Sequence, residues 1–102
     1  MTTAQNMIVE NDGATLVGRR PTRGEVMAEI ITQLAPYRSD DDQVIRGATV
    51  ISKDLSIDSL AVMDMVMELE DRFDVSIPMN TVAEIQTVDE LANTILKLAA
   101  RR

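Results

Sequence analysis

Apolar residues recur at helical spacing in three separate stretches of this 102-residue chain. In the first stretch, Val26, Met27, Ile30, Ile31 and Leu34 share one face, and Thr22 with Glu25 three residues later makes a capping-box pattern at its head. Pro36 disfavours helical geometry at Ala35, so this first helix is predicted to stop there. The second stretch, from Ser59 to about Phe73, is the most regular, with Asp58 or Ser59 as its cap. The third opens on another capping-box pair, Thr87 and Glu90, and turns Val88, Leu91, Ala92, Ile95 and Leu98 inward. A single short helical turn is expected around Thr81 to Ile85. Three long helices and one short one predict an all-α fold, a four-helix bundle.

Two segments lack such periodicity. From Arg38 to Ile57 no helical stripe exists, and the segment reads as a long loop after the first helix; Val50 and Ile51 have strand propensity but no visible partner strand. A connection of that length in so small a domain hints at function. Residues 1–20 place Asn11-Asp12-Gly13 between the short runs Met7-Ile8-Val9 and Ala14-Thr15-Leu16-Val17, a hairpin pattern too small to be stable alone. A mobile N-terminal arm over 1–20 and a single domain over 21–102 are expected.

Around the axis of the second helix the apolar positions separate into two stripes. Val62, Met65, Val66, Leu69 and Phe73 form an arc wide enough to be the core face. Leu60, Met63 and Met67 lie about a third of a turn away, edged by Glu70 on one side and by Asp64 and Asp71 on the other. Either the short helix folds over this second stripe and buries it, or the stripe is an exposed docking strip. Unbranched Met adapts to partners of different shape, and a rim of carboxylates steers basic ones.

Composition narrows the chemistry. The chain has no His and no Cys, which excludes a Ser-His-Asp site, a thiol nucleophile, a thiolate metal site and any disulfide. With one Phe, one Tyr and seven Met, the core must be aliphatic. Ten basic against seventeen acidic residues leave a net charge of −7, carried wholly by residues 39–102, which disfavours nucleic acid and anionic membranes. No apolar run is long enough to span a membrane, and the N-terminus has neither the basic start nor the apolar run of a secretory signal. A cytoplasmic monomer is expected. Asp40-Asp41-Asp42 does not make a Ca²⁺ loop, because Val44 and Arg46 occupy liganding positions and the required Gly is misplaced. Asp54 and Asp58 could be paired as acid and base, but both sit on an open loop or cap with no sign of burial. No catalytic residue and no metal ligand is expected.

The segment Asp54-Leu55-Ser56-Ile57-Asp58-Ser59-Leu60 joins the long loop to the second helix. Taken alone, a Ser after an Asp at a helix start is an N-cap. Followed by Met67-Glu68-Leu69-Glu70-Asp71-Arg72-Phe73, Val75-Ser76-Ile77-Pro78 and Ile85-Gln86-Thr87-Val88, it resembles the acyl carrier protein family in order and spacing over about residues 22–99. The resemblance implies an acidic four-helix bundle whose serine, matching Ser59, carries 4′-phosphopantetheine through a phosphodiester. A separate phosphopantetheinyl transferase takes the group from CoA with Mg²⁺, and its thiol holds acyl chains as thioesters. Asp58 matches the family's acid before the serine and Leu60 the apolar residue after it. The resemblance also implies docking of acyl-transfer, synthase or ligase enzymes on Leu60, Met63, Asp64, Met67 and Glu70 and on the short helix. Glu68 and Asp71 extend that acidic face, and Met79 and Val82 the apolar strip.

The physical reading agrees. A chain without Cys needs an imported thiol to hold a thioester, and a hydroxyl at a helix N-terminus sets its phosphate beside unsatisfied N–H groups. An aliphatic core can part to shelter an acyl chain. Three features depart from the common pattern. Ser56 stands where Gly is usual; Met79-Asn80-Thr81-Val82-Ala83 holds no acid where the fatty-acid-synthesis type has several; and the arm is long. These point to a specialised carrier of a fatty-acid, lipid or related pathway. A polyketide or aminoacyl (peptidyl) carrier shares the same serine, and an unmodified interaction bundle shares the fold.

Overall fold

A computed structural model describes residues 20–101, and the arm expected over 1–20 lies, apart from Arg20, outside them. Helix α1 spans Arg23–Leu34, α2 Ile51–Asp54, α3 Ser59–Phe73, α4 Met79–Glu84 and α5 Val88–Ala100. The long helices α1, α3 and α5 enclose an aliphatic core in which Ile30, Leu34, Leu69, Leu91 and Ile95 are fully buried. The helix α1 packs chiefly on α5, and Arg72 of α3 reaches Glu29 of α1 at 3.6 Å.

Both capping boxes form. Thr22 Oγ1 accepts from Glu25 N at 3.1 Å while Glu25 Oε1 accepts from Thr22 N at 2.8 Å. Thr87 and Glu90 repeat the exchange at the head of α5, where Glu90 also accepts from Gln86 N at 2.7 Å. The backbone N–H groups of Gln86 and Thr87 hold the Glu90 carboxyl below the usual value for Glu. Pro36 ends α1 as expected, and the chain tightens into a 3₁₀ turn over Ala35–Tyr37. The C-terminus of α3 closes on Asp74, held at φ 55 and ψ 50, a left-handed position that a short polar side chain tolerates.

The structure corrects the sequence-based expectations in three places. The connection after α1 is no open loop: it buries Ile45, Ile51 and Leu55 and contains α2. One turn of helix is too short to show a stripe, so this element was invisible to periodicity. The short helix α4 begins at Met79, two residues earlier than expected, because Pro78 presets the extended N-cap geometry. In α5 Leu98 is half-buried, and Ala99 occupies the core position beside it.

Val50, which lacked a visible partner strand, pairs with Thr87 in an isolated antiparallel bridge. Around it Ile51 N donates to Gln86 O at 2.9 Å, Val88 N to Thr49 O at 3.1 Å and Asp89 N to Gly47 O at 2.9 Å. This clasp ties the long connection to the start of α5. Gln43 braces the same connection, accepting from Ser39 N at 2.6 Å and donating to Asp54 O at 2.7 Å.

Gly47 is a glycine for lack of room. A Cβ there would run into the Asp89 carboxylate, which Arg23 holds at 2.6 Å. Gly47→Ala should therefore lower stability in urea denaturation by about 1 kcal/mol, by displacing that carboxylate from Arg23. In an Asp89→Ala background the same substitution should be neutral or stabilising, since the backbone at 47 is not left-handed and Ala restricts the unfolded chain.

Candidate functional site

Ser59 is the first residue of α3, at the end of the clasped connection. Of the two candidate caps, Asp58 takes the role: its Oδ1 accepts from Ala61 N at 2.8 Å, with Asp58 in extended backbone geometry. The Ser59 side chain is thereby left exposed, and its hydroxyl has no hydrogen-bond partner among the described residues. One side chain satisfies the cap, and the Ser59 hydroxyl stands beside the positive end of a 15-residue helix.

The two stripes of α3 separate as their spacing implies. Met65, Val66, Leu69 and Phe73 are buried, and Val62 packs half-buried against them. Leu60 is 73 % exposed and Met67 58 %, so α4 does not cover the second stripe; Met63 between them is half-buried. Met79 extends this strip at 65 % exposure. Asp64, Glu68 and Asp71 are exposed around it.

Two expected docking residues are placed otherwise. Val82 is half-buried, packed against the core and facing a cavity, so it does not enlarge the surface strip. Val82 and Ile85, three residues apart and so on one face at the end of this short helix, pack together against the core. Glu70 is half-buried, and its Oε2 accepts from Ile77 N at 2.7 Å. That bond holds the segment after α3 so that Val75 and Ile77 reach the core, and it commits one oxygen of a carboxylate read as a free rim charge.

Behind α3 lies an apolar cavity of about 70 Å³. Ile51, Met65, Val66 and Leu91 form its buried floor; Val62, Val82, Ile85 and Ser52 form its rim. The α2 residues of this wall went unseen in the sequence, because only the clasp to Gln86 and Val88 brings Ile51 and Ser52 against α3. The alternation Val50-Ile51-Ser52 carries no signal that distinguishes a cavity wall from a loop.

Leu60→Ser and Met67→Ser should each stay within about 0.5 kcal/mol of wild type in urea denaturation. Leu69→Ala, on the buried arc of the same helix, should cost about 2–5 kcal/mol. Equal costs on the two arcs would mean that the strip is covered.

A family described as the phosphopantetheine attachment site matches residues 28–95. A probable acyl carrier protein of Caulobacter vibrioides is 44 % identical over 57 residues, covering 56 % of this chain and 66 % of its own length. The acyl carrier protein of Campylobacter lari is 34 % identical over 74 residues, covering 72 % of this chain and 91 % of its own. That of Chlorobium phaeobacteroides is 40 % identical over 76 residues, covering 74 % and 97 %.

Proposed function

We infer, since the chain belongs to the acyl carrier protein family, that Ser59 is the residue through which it carries 4′-phosphopantetheine. The observation that supports this is the pairing at the head of α3, where Asp58 caps the helix and leaves the Ser59 hydroxyl exposed, with no partner among the described residues. The residues fit the group. A phosphodiester on Ser59 lies next to the first N–H groups of α3 and the positive end of its dipole, which favour negative charge. The group, when bound, supplies the thiol that this Cys-free chain lacks, and acyl chains ride on it as thioesters. The protein is then a carrier that other enzymes act upon, and its own residues present, orient and shelter the chain. No helix among the described residues is long and apolar enough to cross a membrane. The reading is of a monomeric cytoplasmic carrier met by a phosphopantetheinyl transferase and by acyl-transfer, synthase or ligase enzymes.

The docking face favours partners of a particular kind. On α3, Leu60, Met63 and Met67 run beside Asp64, Glu68 and Asp71, whereas the outward side of α4 offers Met79, Asn80 and Ala83 with no acid before Glu84. Such a face suits a less basic, more apolar dock than enzymes of bulk fatty-acid synthesis present, and supports a specialised acyl or lipid pathway.

With CoA, Mg²⁺ and a broad-specificity transferase, intact mass should rise by one phosphopantetheine, and Ser59→Ala should gain none while keeping its thermal midpoint. Asp58→Asn, which retains an equally good cap, should stay folded yet label more slowly. Labelling of Ser59→Ala would overturn Ser59 as the attachment residue, and no labelling of the wild type would leave an unmodified interaction bundle.

A general elongating ketosynthase supplied with the acylated protein should run well below its rate on a housekeeping carrier. Each missing exposed ion pair is worth about 0.2–1 kcal/mol, so two or three weaken such a partner by roughly tenfold. Asn80→Glu with Thr81→Glu should recover part of that rate; equal rates without them would discard the specialised reading and leave Ser59 untouched.

A further inference from the structure

The cavity behind α3 is aliphatic except at one place. Seven of its eight lining residues carry Ile, Leu, Val or Met side chains, and the eighth is Ser52. Ser52 is exposed, on the first turn of α2, and its hydroxyl has no hydrogen-bond partner among the described residues. It neither caps its helix nor folds back on a carbonyl, the two common employments of a serine in such a position. Its neighbour Ile51 is buried in the floor.

Exposure orders the cavity from mouth to floor. Ser52 is open to solvent, Val62, Val82 and Ile85 are half-buried, and Met65, Val66 and Leu91 are buried. A chain entering from solvent leaves its tail among the last three and its proximal carbons at the mouth, beside Ser52. An unsubstituted alkyl chain there covers part of the hydroxyl's water and offers it no partner in return. A chain with an oxygen close to its thioester end replaces that water with a hydrogen bond.

We propose that Ser52 makes this cavity selective for acyl chains that carry a hydroxyl or keto oxygen near the thioester over saturated chains of the same length. The Ser52 hydroxyl donates to either oxygen, and accepts from a hydroxyl. The clasp holds α2 in place, with Ile51 N on Gln86 O, so Ser52 is carried at the cavity rim by a fixed element. This rests on Ser59 bearing the thioester arm.

The test installs octanoyl- and 3-hydroxyoctanoyl-phosphopantetheine from the corresponding CoA thioesters on wild type, Ser52→Val and Ser52→Ala. Cleavage of each thioester by hydroxylamine is measured against the same thioester on free pantetheine, alongside the thermal midpoint of each loaded protein. Wild type should protect the hydroxylated chain more than the plain one by roughly three- to tenfold, the worth of one net hydrogen bond. Ser52→Val should abolish or reverse that order while loading as fully as wild type, and Ser52→Ala should abolish it without the added bulk. A preference unchanged in both variants overturns the proposal. So does an equal loss for both chains, which would put Ser52 on the thioester carbonyl that every acyl group shares. Failure to load any variant at Ser59 instead counts against the carrier site itself.

Discussion

The backbone clasp between residues 47–51 and 86–89 is the constraint on which the functional half of the molecule depends. Without it the connection after α1 is a long chain with three buried aliphatic side chains and a four-residue helix that could not stand alone. With it, α2 becomes a wall against α3, and the chain reaches Asp58 and Ser59 from a fixed direction. The same bonds satisfy N–H groups at the start of α5, so the helix that buries Leu91 and Ile95 and the wall of the cavity are secured together. Gly47 and Asp89 show how closely the two segments meet, since the carboxylate held by Arg23 occupies the space a side chain at 47 would need.

The helix α3 divides its work by angle. Its inner arc is closed by α1 and α5, and its outer strip is left to solvent because α4 is only six residues long and turns Val82, not Met79, toward the core. Solvation of that face is preserved by its acids, while Glu70 is withdrawn from it to hold Ile77. A residue's charge is therefore not enough to assign it to a surface role; the geometry of the next loop decides whether a carboxylate is available.

Charge and helix polarity converge at Ser59. Most of the chain's acids lie beyond residue 38, and among them the head of α3 presents N–H groups that favour negative charge. Asp58 spends its side chain on the cap, and this division between neighbours frees the hydroxyl.

The helical class, the three long helices, both capping boxes and the two arcs of α3 follow from the residue order alone. Each of these is local, written in spacings of three and four residues that the backbone of one helix enforces. The Ser59 motif was legible for the same reason, as an ordered run at a helix start, although Asp58 and Ser59 remained interchangeable as caps until the backbone angles separated them. Packing between segments settles the rest: that Val50 meets Thr87, that Ile51 and Ser52 become cavity wall, that Val82 turns inward and that Glu70 is committed to Ile77. These are contacts between segments far apart along the chain or around a helix too short to have a period. No single residue in either partner carries a mark of the other, because the pairing is made by backbone groups common to every residue and by the space left between packed elements.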